Sequence, residues 1–139
     1  MKVEFDYISE FYYVYPAGGA RFVRNAGGGN GSAFDVWDGY LDPIMKALWK
    51  LCFERQSISY LPLLQEWNEC TGYKDPYNEK EYTFVRELAL TIAALQTIDP
   101  SNLTEYRGSP GEVAQVLRDL ILFLNSAAIL GQTVTISEL

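Results

Sequence analysis

Asp35, Asp38 and Asp42 follow one another at steps of three and four, so a helix running through them would bring three carboxylates to one face. Such a face could hold a hard cation such as magnesium, or gather negative potential for a basic partner. A solvated helix start, where the dipole favours Asp, would give the same spacing. Two further acidic groups have aromatic residues set among their charges: Glu66 and Glu69 bracket Trp67, and Asp75 and Glu79 are interleaved with Tyr73 and Tyr77. Rings bordered by acids are what a protein-binding surface presents to Arg and Lys. Core packing accounts for many of the same rings.

Other reactive residue types are sparse. The run Gly27-Gly28-Gly29-Asn30-Gly31-Ser32, with Arg21 and Arg24 upstream, could cradle an anion on exposed backbone amides, with Arg21, Arg24, Gly28 and Gly29 as its contacts. It lacks both the Gly-Lys-Ser/Thr ending and the G-x-G-x-x-G spacing of nucleotide loops, so a flexible connector is the simpler reading. Cys52 and Cys70 form no C-x-x-C pair and read as small core residues rather than nucleophiles. The chain contains no histidine, which removes Ser-His and Cys-His pairs, His-ligated zinc and neutral-pH proton shuttling. No cofactor and no resident metal are expected.

The elements that must position these residues can be read from periodicity. Val3, Phe5 and Tyr7 alternate with Glu4 and Asp6 within a stretch to Tyr15 that suits a strand. A turn at Ala17-Gly18-Gly19 then leads to a short second strand, Ala20 to Arg24. Trp37, Leu41, Ile44, Leu48 and Leu51 repeat at helical period across Pro43. That residue should either kink the helix or restart it with Asp42 as N-cap, and the restart is the preferred expectation. Ser59 precedes a short helix carrying Leu61, Leu64 and Trp67 that should stop near Thr71-Gly72, and Asn78 to Thr97 reads as a longer one ending at Asp99-Pro100. Ser109-Pro110-Gly111-Glu112 has the spacing of a capping box. It opens a helix to about Leu130 whose apolar stripe is widened by Leu122, Phe123 and Ile129, which suits the centre of the fold. Gly131 ends that helix, and Val134 and Ile136 then alternate with Thr133, Thr135 and Ser137 as a closing strand that should pair with the N-terminal sheet. The expected fold class is α+β and mainly helical. About four helices accompany a small antiparallel sheet formed by N-terminal strands and a C-terminal strand, with residues 1–139 as a single domain.

Composition narrows function by exclusion. Eighteen Asp and Glu against eleven Lys and Arg give a net charge of −7, which opposes a phosphate backbone, so nucleic acid is not an expected ligand. The opening residues lack a secretory apolar stretch, and the run near Leu120 to Leu130 is too short to span a bilayer, so a cytoplasmic protein without membrane contact is expected. Size, acidity and abundant Tyr and Trp are similar to those of small cytosolic immunity proteins of bacterial toxin systems; this is a resemblance of class, carried by no motif. The first expectation is therefore a non-catalytic protein, monomer or homodimer, that neutralises a basic partner such as a toxin or nuclease domain by occlusion. Asp35, Asp38, Asp42, Glu66, Glu69, Asp75 and Glu79 would engage its cations, and Trp67, Tyr73 and Tyr77 would fill its cleft. The first alternative is an enzyme or ligand-binding domain using the Gly-rich loop or the three aspartates with magnesium. The second is an adaptor or scaffold subunit.

Overall fold

In a computed structural model of the chain, residues 18–25, 32–56, 61–68, 83–103 and 111–138 are described, with Asn25, Ser32, Gln65, Glu66, Asn68, Thr83 and Phe84 described by backbone alone. Strand β1 (Gly19–Asn25) buries Ala20 and Phe22 and turns Arg21 outward, as alternation about a pleated strand requires. The anticipated strand Val3 to Tyr15 and the Gly-rich run from Gly27 to Gly31 lie outside the described residues.

Strand β2 (Ser32–Trp37) was not anticipated; the helical reading took up the chain beyond Ser32. The strand pairs antiparallel with β1, placing Phe22 opposite Phe34 and Arg21 opposite Asp35. Phe34 and Val36 are fully buried. Their period-two spacing is short, and the longer helical series that follows it masked the signal.

Helix α1 (Asp38–Trp49) begins directly after β2 and runs through Pro43, continuing as a single π-helical turn over Lys50–Glu54. This corrects the expected restart at Asp42. Proline removes the bond to the Gly39 carbonyl, but the preceding turn is held by Leu41, which is fully buried, and by the Tyr40 hydroxyl, which donates to Glu112 Oε2 at 2.8 Å. Leu41, Ile44, Met45 and Leu48 form the buried stripe. Helix α2 (Pro62–Asn68) supplies Leu63 and Leu64 to the core, with Leu61 buried just before it.

The helix expected from Asn78 to Thr97 is shorter than its period suggested. Thr83–Phe84 is a strand, β3, and helix α3 spans only Leu88–Gln96. The Val85 amide donates to the Val134 carbonyl at 2.8 Å, so the β-branched and aromatic residues Thr83, Phe84 and Val85 complete the sheet instead of opening the helix. Glu87 takes a left-handed conformation (φ 55°) between the two. A 3₁₀ turn, Pro100–Asn102, follows α3 and is capped by Asp99.

Helix α4 (Glu112–Ile129) has Gly111, at φ 91°, as its N-cap residue. The capping-box reading is therefore corrected: Glu112 is the first helical residue, and its carboxylate accepts from Tyr40 instead of reaching back. Ser109 and Pro110 lie outside the described residues. At the other end the Gly131 amide donates to the Ala128 carbonyl and the Gln132 amide to the Ala127 carbonyl. With Gly131 at φ 65°, these two bonds make the Schellman stop that the sequence indicated. The helix packs on α1, α3 and the sheet. It still keeps a solvent face, because Leu122 and Ile129 are exposed rather than enclosed as their apolar character suggested.

Strand β4 (Thr133–Glu138) closes the sheet by pairing with β1 and β3. The described strands form one antiparallel sheet in the order β2-β1-β4-β3. Phe22, Phe34 and Phe123 meet where the sheet packs on α4, with ring centroids 6.4 and 5.7 Å apart along that series. The architecture is α+β and mainly helical, around a contiguous buried cluster. No described helix is long and apolar enough to cross a membrane.

Candidate functional site

The sheet register decides which acids meet. Trp37 stands opposite Gly19 on one side of β1 and Glu138 stands opposite Ala20 on the other, so the ends of β2 and β4 flank the same end of β1. Asp38 follows Trp37 and opens α1, and its amide donates to the Gly18 carbonyl at 2.9 Å. Asp42 lies one turn further on. The Asp38 carboxyl is raised above its ordinary value, first because neighbouring chain strips part of its water and then because Asp42 and Glu138 repel its charge. Gly18 comes so close that a Cβ there would stand 3.0 Å from Asp38 Oδ2. Asp38 and Glu138 remain exposed and Asp42 is half-buried.

Asp35 belongs to a different environment. It lies on β2, where Arg21 grips it across the strand pair through Nε at 2.7 Å and Nη2 at 2.8 Å. This two-point bond raises the Arg21 pKa further and consumes the Asp35 charge. The three aspartates therefore do not share one face: Asp38 and Asp42 are neighbours, and Glu138 stands in the third place. Among the described residues no group of three His, Cys, Asp or Glu side chains is arranged to hold a metal ion.

Arg24, three residues along β1 from Arg21, faces the opposite side of the sheet. It is buried with its guanidinium 5.6 Å from the centre of the Phe123 ring. The two arginines therefore do not converge. Gly28, Gly29, Glu69, Tyr73, Asp75, Tyr77 and Glu79 lie outside the described residues, as does the Glu66 side chain. Trp67 is half-buried, and its indole N–H donates to Asp42 Oδ1 at 3.0 Å, tying α2 to the acidic end of α1. Cys52 is buried and unoxidised in the π-helical turn.

Beyond Trp67 opens a groove of about 550 Å³ between α1, α2 and the turn after α3. Trp49 and Trp67 line it, with ring centroids 6.5 Å apart and planes inclined by 57°. So do Lys46, Lys50 and Arg55, with Glu54 and Asp99. In this acidic chain the groove gathers more positive than negative side chains.

Two sets of these residues went unremarked in the sequence. Glu138 is separated from Asp38 by most of the chain, and only strand pairing joins them. Lys46 and Lys50 do carry a local signal, since they stand four apart beside Trp49 on a helix. Compared with known proteins, the chain matches no family model, no curated protein and no solved structure.

Proposed function

We propose that this chain is a non-catalytic binding protein that captures a basic protein and occludes its functional surface, with Asp38, Asp42 and Glu138 as the landing point. The observation that supports this reading is the strand register, which brings Glu138 to the end of β1 where Asp38 opens α1 one turn before Asp42; the Asp38 carboxyl there is raised, first by lost hydration and then by repulsion from the other two. A cationic side chain from a partner would relieve that repulsion and add charge-assisted hydrogen bonds to the carboxylates. The net charge of −7 adds long-range attraction for the same kind of partner. An immunity-type role, acting in the cytosol against a toxin or nuclease domain, is the biological form this reading takes. The absence of histidine from the chain agrees with neutralisation by occlusion rather than by chemistry.

The test is affinity capture from source-cell lysate with the wild-type chain and with the variant Asp38→Asn/Asp42→Asn/Glu138→Gln. The amides keep size and, at position 42, the acceptor for Trp67. A basic protein should be retained by the wild type and depleted about tenfold or more on the variant. Retention of the same partner undiminished by the variant would overturn the proposal.

A further inference from the structure

The groove carries charges opposite to those of the acidic face and calls for a different ligand. Its α1 wall is built on an unusual piece of helix. The Arg55 amide donates to the Lys50 carbonyl at 2.8 Å, a bond five residues long, and such π turns often occur at functional sites. That bond sets Arg55 one widened turn after Lys50, while Lys46 lies one ordinary turn before Lys50. Like charges one turn apart repel, and among the described residues none of the three has an ion-pair partner. Glu54 and Asp99 offset two of the three positive charges and leave an excess of one. The Asp99 carboxylate already accepts from the Ser101 amide at 3.0 Å and the Ser101 hydroxyl at 2.8 Å.

Aromatic surface accompanies these cations. The Trp67 indole is fixed by its bond to Asp42, so what it offers the groove is its ring rather than its N–H. Trp49 adds a second ring inclined to the first. The opposite wall, at the end of α3, contributes Thr97 and Asn102, which can hydrogen-bond the polar edge of a bound ring. The volume lies within the usual range for small-molecule sites.

We propose that this groove binds a small planar aromatic anion of the nucleoside-phosphate kind, its ring against Trp67 and Trp49 and its phosphates on Lys46, Lys50 and Arg55. Stacking is tolerant of ring identity, so the class is set by flat ring plus anionic tail rather than by one base. The site uses no carboxylate of the acidic face except through the Trp67–Asp42 bond, and stands or falls separately from partner capture.

The probe is ADP, followed by calorimetry and by tryptophan fluorescence at low ionic strength, with adenosine and pyrophosphate in parallel. ADP should bind saturably and quench the fluorescence, and each fragment should bind at least about tenfold more weakly. Lys50→Ala/Arg55→Ala removes two exposed cations and should weaken ADP about tenfold without lowering the melting temperature. Trp37→Phe should leave the quenching intact, since Trp37 packs on Tyr40 outside the groove. No saturable binding of ADP, equal binding of either fragment, or an undiminished affinity in the double alanine variant would each overturn the proposal.

Discussion

Asp38 illustrates how a single residue trades stability for potential. Its carboxyl is raised in the folded chain, so between the ordinary Asp range and the raised value the unfolded chain ionises first. Folding stability is therefore lost as pH rises through that window, and the cost is fully present at neutral pH. The favourable position of an anion in the first helical turn offsets part of it. Asp38→Asn is accordingly expected to raise stability at neutral pH by a few tenths of a kcal/mol, a small amount because exposed charge is screened by solvent. The gain should vanish below about pH 3, where both states carry a protonated acid. Denaturant titrations at the two pH values check this, and a loss of stability at neutral pH would contradict it. Asp35 is placed differently, being buried and clamped by Arg21. Two aspartates three residues apart thus differ completely, one neutralised within a sheet and one left facing solvent.

At the scale of elements, two glycines set boundaries for different reasons. Gly131 ends α4 in a left-handed conformation with open space around it, so Gly131→Ala should cost about 1 kcal/mol through backbone strain alone. Gly39 lies inside the first turn of α1, where alanine would ordinarily favour the helix. A Cβ there would come within 2.5 Å of the Trp37 ring, however, and Trp37 packs edge-on against Tyr40 with centroids 5.4 Å apart. Gly39→Ala should therefore also destabilise, by about 1–3 kcal/mol of overpacking. A repacking of Trp37 relieves that variant but not Gly131→Ala, so near-ultraviolet circular dichroism should change only for Gly39→Ala. Thermal melts of both, with that spectrum, separate strain from collision.

At the scale of the molecule, the described residues include an acidic end of the sheet at Asp38, Asp42 and Glu138 and a basic-aromatic groove, joined by the Trp67–Asp42 bond. The two proposed ligands have opposite charge, and added salt should weaken both, since exposed charges are screened beyond about 8 Å at physiological ionic strength. Partner capture should lose mainly association rate, because long-range steering is what salt removes first. Stopped-flow or surface-based kinetics between low and high salt would show it. An association rate indifferent to salt would argue against electrostatic capture.

The sequence by itself determined the class of fold and most of its helices, because burial patterns of period 3.6 and the Gly131 stop are local properties. It determined the closing strand as well, through the alternation of Val134 and Ile136 with threonines. It also excluded histidine chemistry outright. Only the tertiary structure decided that Ser32–Trp37 and Thr83–Phe84 are strands, since each of these short runs becomes a strand through hydrogen bonds to a partner distant in sequence. The same cause governs the sites. Asp35, Asp38 and Asp42 are evenly spaced along the chain, but pairing with β1 hands Asp35 to Arg21 and brings Glu138 to Asp38 and Asp42. Likewise the π turn sets Arg55 one widened turn after Lys50 and the packing of α2 brings Trp67 to Trp49, so charge and ring meet only once the helices have docked.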